Sequence, residues 1–407
     1  MKFILNMHDK VRHHFEKGGN LESVGPIFDA ADTFAFTPDE ETHKGSHIRD
    51  AIDMKRLMIT VIYALLPCFV FGMWNAGHQY NLVNSGETGW IFAKFITDLM
   101  SDGWVSILIA DLLRGAIIVM PLVVVSYAVG GFWEVLFSCI RKHPINEGLL
   151  VTGFLFPLVL PPTIPLWQAA VGISFGVVIG KEVFGGTGMN IVNPALLSRA
   201  FLFFAYAKEM TGNVWVGIAP DTTVDAVTGA TPLGILATLP EGSDAAVVIA
   251  DGQVDFMQML IGNLPGSIGE TSAIACLLGA AVLLITGVAS WRIMLAAVIG
   301  LLSTAALAKG FGSSAMSQIP IYYHLVAGGF AFGVIFMATD PVSAAATNAG
   351  KWIYGFLIGM LVIIVRVLNA GFPEGVMLSI LFMNLMAPLI DSFVVDHHIR
   401  MRRRKRA

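Results

Sequence analysis

The sequence predicts an all-α integral membrane protein of about ten transmembrane helices. Three observations carry that prediction. Hydrophobic residues make up 55% of the 407 and charged residues only 13%, about half the ~25% charge of a typical soluble domain. Mean hydropathy is +0.71. Apolar runs recur along the chain, and many approach the roughly 20 residues that cross a hydrocarbon core. This composition excludes a soluble enzyme, a nucleic-acid binder and a disordered chain. The net charge of −4 says little about partners, because the charge is unevenly distributed.

Residues 1–56 are polar and read as a cytoplasmic extension without a secretory signal peptide, so the first apolar segment is an internal anchor. Apolar spans follow near 57–77, 105–130, 148–162, 165–181 and 190–207. A long polar stretch, 208–255, separates these from five more at 270–289, 292–309, 321–339, 352–371 and 375–393. The third span ends in Leu160-Pro161-Pro162 and the fifth opens with Asn193-Pro194, so both are weak as continuous helices. The units are then 57–207, with a first repeat mainly at 131–207, the loop 208–255, a second repeat within 256–393, and a basic tail at 394–407.

Charge orients the spans. With both termini cytoplasmic, 19 of the 25 Lys and Arg face the cytoplasm, including the tail Arg400 to Arg406. This fits the positive-inside rule. The tail then reads as an anchor on anionic membrane lipid. The loop 208–255 falls outside and is acidic, with Asp221, Asp225, Glu241, Asp244 and Asp251 against Lys208 alone.

The chain looks built twice. Glu147 precedes Trp167, and Glu270 precedes Trp291, at nearly equal spacing. Each Trp opens a Gly/Ala-rich span, and each unit ends in a proline break, Asn193-Pro194 or Asp340-Pro341. Five spans per unit make the two repeats inverted. Breaks at corresponding places point to a ligand site near the membrane midplane. Residues 185–193 put glycines and the amides Asn190 and Asn193 beside the first break.

In the outer loop stands Asp225-Ala226-Val227-Thr228-Gly229-Ala230-Thr231. From its residues alone this is a tight turn. Gly229 permits the bend, Ala230 leaves space, and Thr231 presents a hydroxyl; Thr228 and Asp225 supply hydrogen bonds or cation contacts. The motif resembles the flavinylation sequence of membrane flavoproteins. In those, the last threonine is esterified to the phosphate of FMN by a dedicated FMN transferase.

Over nearly its whole length the chain is similar to a family that unites the B subunits of sodium-translocating NADH:quinone oxidoreductases with the D subunits of Rnf complexes. Gly130-Gly131 with Glu134, the stretch from Gly185 to Arg199, the flavin motif and Ala338-Thr339-Asp340-Pro341 carry the resemblance. The long amino-terminal extension favours the quinone reductase over Rnf. Thr228 stands where many relatives have Ser. The resemblance implies broken helices in a urea- or ammonium-channel type of fold. It implies FMN on Thr231, with Asp225, Thr228, Gly229 and Ala230 as its recognition motif, and noncovalent riboflavin. It also implies ubiquinone reduction, Na+ export, five partner subunits (A, C, D, E and F) and the bacterial inner membrane. Hydride transfer from NADH would belong to another subunit, since no Gly-x-Gly-x-x-Gly follows a strand pattern here.

Other sites rest on fewer residues. Gly130 and Gly131 could admit a flat quinone ring beside Glu134, or serve close helix packing. Asp340, Asp391, Glu147 and Glu270 are the acids proposed for Na+, with capping or ion pairing as the alternative role. Asn190 and Asn193 could hold riboflavin. Asp111 and Arg114 stand one turn apart and are expected to pair. Cys68, Cys139 and Cys276 lie in apolar runs without metal spacing and read as small buried hydrophobes. A non-redox urea- or ammonium-like channel is the other functional class, and it has no use for the flavin motif.

Overall fold

The computed structural model describes residues 54–84, 104–141, 148–211, 214–216, 230–239, 249, 254–311, 314–369 and 371–406. Asp225, Thr228, Gly229 and Glu147 lie outside the described residues, as do nearly all of the amino-terminal extension and most of the acidic loop. All regular structure among the described residues is helical. We label ten helices: α1 (Met54–Asn84), α2 (Trp104–Arg141), α3 (Gly148–Leu158), α4 (Leu166–Gly180), α5 (Pro194–Ala205), α6 (Pro232–Thr238), α7 (Ala273–Ile285), α8 (Trp291–Phe311), α9 (Asn348–Leu368) and α10 (Val376–Arg406).

Six of these, α1, α2, α4 extended by the short turn to Phe184, α8, α9 and α10, are long and apolar enough to cross a membrane. The third, fifth and sixth expected spans become the short apolar helices α3, α5 and α7, of 11, 12 and 13 residues. At 1.5 Å per residue each covers roughly 17–20 Å, less than the ~30 Å hydrocarbon core. The eighth span is interrupted into Tyr323–Val326, Phe330–Phe332 and the π-turn Gly333–Met337. Gly328 and Gly329 make this break, with φ of +58° and +67°, a region that side chains with a Cβ rarely enter.

Irregular backbone inside a bilayer must be satisfied by protein. Here breaks of the first half meet breaks of the second. The N–H groups of Ile268 and Gly269 donate to Leu160 O and Leu158 O at 3.1 and 2.7 Å. Asn193 of the first half reaches Asp340 of the second at 3.5 Å. Three of the shorter helices restart on a side-chain cap, Asn193 for α5, Thr231 for α6 and Ser272 for α7, as Thr347 does for α9. Such caps are worth about 1 kcal/mol each.

Glycines set the packing of the long helices. Any Cβ on Gly300 or Gly359 would strike the carbonyl of Phe356 or Ala297, so α8 and α9 run backbone against backbone. Gly77 and Gly115 do the same between α1 and α2, over Asp111 O and Met73 O. Association through small residues suits an apolar solvent, where burying hydrophobes gains nothing. Cys68 of α1 and Cys276 of α7 are buried together with Sγ atoms 3.8 Å apart, in keeping with their reading as core residues.

Candidate functional site

Two cavities lie near opposite ends of the bundle. Met58 of α1 lines one. Asn75, about 25 Å further along α1, donates to Leu264 O, which borders the other region.

The first cavity forms where the breaks meet. Its polar wall is Thr152, Lys181, Thr187, Asn190, Asn193 and Asp340. Asn193 is fixed on both sides. Its Oδ1 accepts from the N–H groups of Ala195 and Leu196 at 3.0 and 3.2 Å, and its Nδ2 donates to Asp340. Asp340 also accepts from Val342 N at 3.1 Å and Ser343 Oγ at 2.8 Å. Asn190 Nδ2 donates to Val192 O at 3.0 Å, holding its own loop. Thr187 Oγ1 is buried without a hydrogen-bond partner among the described residues, and a buried hydroxyl of this kind calls for a polar ligand. The structure thus gathers Asn190, Asn193 and Asp340 into one site, although the sequence offered them for different ligands.

The second cavity opens at Thr231 and holds about 450 Å³, within the ~300–1,000 Å³ of small-molecule sites. Trp215, Phe203, Phe372 and Met210 give it an apolar wall, with Phe203 and Phe372 in edge contact at 4.5 Å. Arg199 and Glu374 supply its charges. Thr231 lines it, half-buried, as the cap of α6. Its Oγ1 accepts from Gly234 N at 3.1 Å, so the hydroxyl proton is left to point away from the helix.

Behind this cavity lies a buried charge cluster. Arg199 Nη1 donates to Glu270 at 2.8 Å, while Nη2 reaches Glu374 at 2.6 Å and Ser267 Oγ at 3.4 Å. One guanidinium therefore serves two carboxylates and ties α5 to two loops of the second half. Arg366, fully buried, donates to the carbonyls of Glu374, His324 and Ala327 at 3.0, 2.8 and 2.7 Å. The Na+ acid proposed at 270 is thus an ion-pair partner here. Glu374 and this use of Arg199 escaped the sequence reading. An Arg inside an apolar span was the available signal, because it demands a buried acid.

Glycines 130 and 131 differ. A Cβ on Gly130 would lie 2.9 Å from Leu149 Cδ1, whereas one on Gly131 meets only Leu149 Cδ2, at 3.6 Å. Close packing therefore explains Gly130 but leaves Gly131 with room beside it. Glu134, one turn on, forms a buried pair with Lys181 at 2.8 Å. Lys181 also lines the first cavity, so it joins the two places. Asp391 clamps the segment before α9: it accepts from Ala346 N at 2.7 Å, from Thr347 N at 3.0 Å and from the Thr347 hydroxyl. The expected Asp111–Arg114 pair does not form among the described residues. Asp111 binds His78 Nδ1 at 2.7 Å and Asn81 at 2.6 Å, and Arg114 lies over the Tyr80 ring. These partners come from helix contacts that one-turn spacing cannot report.

The sequence profile described as the NQR2, RnfD, RnfE family matches residues 41–400. Three similar proteins are each named as the B subunit of Na(+)-translocating NADH-quinone reductase. The one from Stutzerimonas stutzeri (strain A1501) is 49% identical over 410 residues, covering 97% of both chains. That from Pseudomonas aeruginosa (strain LESB58) is 50% identical over 414 residues, covering 98% of each. That from Yersinia pestis is 48% identical over 417 residues, again 98% of each.

Proposed function

The chain belongs to the NQR2, RnfD, RnfE family, and from that premise we propose that it is the B-type membrane subunit of a sodium-translocating NADH:quinone oxidoreductase. It is a multi-pass membrane protein, and near-half identity over full length ties it to relatives of that name. Its place is the bacterial inner membrane with both termini cytoplasmic, among five partner subunits (A, C, D, E and F). NADH is oxidised on another subunit.

The observation that carries the flavin reading is Thr231 lining a 450 Å³ cavity with an aromatic wall and the Arg199–Glu374 pair. This fits FMN. A phosphoester at Thr231 Oγ1 would fall at the cap of α6, against Gly234 N. Trp215, Phe203 and Phe372 would cover a flat ring and exclude water, and Arg199 would hold negative charge. Bound there, FMN supplies one-electron chemistry; the chain positions it and tunes its potential. Attachment is the work of an FMN transferase acting on Asp225, Thr228, Gly229, Ala230 and Thr231.

Riboflavin goes to the first cavity, where the unpartnered Thr187 hydroxyl and the amides of Asn190 and Asn193 match the donors and acceptors of a flavin edge. At about 80 Å³ this cavity takes only the edge of a ring. Ubiquinone binds at Gly131, where the backbone has room, with Glu134 beside it and Gly130 as the packing partner. Of the acids proposed for Na+, Asp340 is the best placed, because it lies at the break with Ser343 and no cationic partner among the described residues. Asp391 is committed to backbone amides.

Membranes carrying the whole complex test the reading. They should reduce ubiquinone with NADH, faster with Na+, only when this chain is present. Dependence on ferredoxin instead would favour the Rnf type. Solute flux without electron transfer would favour a channel.

A further inference from the structure

We infer that Glu270 is the charge-compensating acid of the Thr231 cavity, taking up one proton when one electron enters the flavin held there. The inference rests on the flavin reading and adds to it.

The charge count leads to it. Arg199 and Arg366 stand against Glu270 and Glu374, so the buried cluster is neutral with both carboxylates ionised. Arg366 gives its donors to three carbonyls and cannot turn without breaking them. Arg199 is the charge that cavity and cluster share, since it lines the flavin cavity as well as binding both acids. Negative charge arriving in that cavity draws on the guanidinium. It thereby weakens the hold on two carboxylates that burial already disfavours.

Of the two acids, Glu270 is the more enclosed, its side chain 8% exposed against 14% for Glu374. Glu374 lines the larger cavity and keeps access to water there. Glu270 lines the smaller pocket on the other side of Thr231, against the backbone of Gly329, and does not line the larger cavity. A Cβ on Gly329 would stand 2.8 Å from Glu270 Oε2. The groups facing Glu270 are Arg199 from α5, Glu374 from the turn before α10, Ser267 from its own loop and Cys276 from α7. Arg366 of α9 lies behind Glu374.

The step balances. One electron arrives from the NADH-fed chain and one proton from water entering the smaller pocket that Glu270 lines. The carboxylate becomes a carboxylic acid, an O–H bond forms, and the summed charge of cavity and cluster is unchanged. Reoxidation reverses both.

Reduced-minus-oxidised infrared spectroscopy on the intact complex reads this directly. Wild type should gain the carbonyl stretch of a protonated carboxyl group, moving to lower frequency in D2O. Glu270→Gln should lose the band and Glu374→Gln should keep it. If Glu270→Gln does not assemble, Glu270→Asp decides, since a displaced band supports the assignment and an unmoved one overturns it. A band persisting in Glu270→Gln, or missing from wild type, overturns it too. Flavin fluorescence on a denaturing gel separates the two levels. Wild type without attached flavin defeats the parent reading. Wild type with flavin and no band defeats this inference alone.

Discussion

Replacing Gly131 with alanine or valine, beside the same changes at Gly130, separates binding from packing. Glycine inside a helix is about 0.5–1 kcal/mol less stable than alanine. At Gly131 the new methyl meets only Leu149 Cδ2 at 3.6 Å, ordinary contact. Gly131→Ala should therefore leave the melting temperature of the complex unchanged or slightly raised. At Gly130 the methyl lies 2.9 Å from Leu149 Cδ1, with Ile173 and Val177 behind at 3.5 and 3.8 Å. Leu149 must turn, and overpacking of this kind costs roughly 1–3 kcal/mol, partly offset by helix propensity. Quinone kinetics should show the reverse order. A ring resting on the Gly131 backbone is pushed off by valine, and a loss of about 1.4 kcal/mol is tenfold in affinity. The assay is quinone KM and inhibitor sensitivity of the purified complex, with a thermal melt on each variant. Gly131→Val with wild-type KM and wild-type inhibition would refute the reasoning and leave both glycines to helix packing.

Arg199→Met strands two buried carboxylates and should cost about 3–5 kcal/mol; Glu270→Gln and Glu374→Gln added to it should restore most of the melting temperature. Asp340→Asn should raise the Na+ concentration for half-maximal turnover by about tenfold, on the order of 1.4 kcal/mol, and an unchanged value removes Asp340 from the ion path. Asp391→Asn should lower stability by roughly 1–3 kcal/mol through lost bonds to 346 and 347 and leave Na+ dependence intact; lost Na+ dependence at full stability would make Asp391 a ligand. Asn193→Ala removes the α5 cap, about 1 kcal/mol, and should reduce retention of noncovalent riboflavin, measured by extraction and chromatography.

Much of this architecture is legible in the sequence because lipid demands contiguous apolar runs. Each of the ten expected spans contains helix at its place. Their ends are less legible. The second span reads as 105–130 from hydropathy, yet α2 continues to Arg141, since Gly130-Gly131 does not break it and Phe132, Trp133, Val135, Leu136, Phe137 and Ile140 keep the run apolar. Hydropathy also cannot see the interruption at 327–329, because Ala327, Gly328 and Gly329 are as apolar as a continuous helix. The proline breaks announce themselves, but their meeting does not. Asn193 and Asp340 stand 147 residues apart and touch only through the fold. The same holds for Arg199 with Glu374 and for Glu134 with Lys181. A buried charge tells the reader that a partner exists, and only packing tells which one.

The central claim is that this chain carries flavin on Thr231. The most direct test is intact mass with in-gel flavin fluorescence after denaturation, on wild type and Thr231→Ala, each co-expressed with an active FMN transferase. The account predicts fluorescence and a mass gain of one FMN, on the order of 440 Da, in wild type alone. Unmodified wild type, with the transferase active on a control protein, or equal labelling of Thr231→Ala, would contradict it.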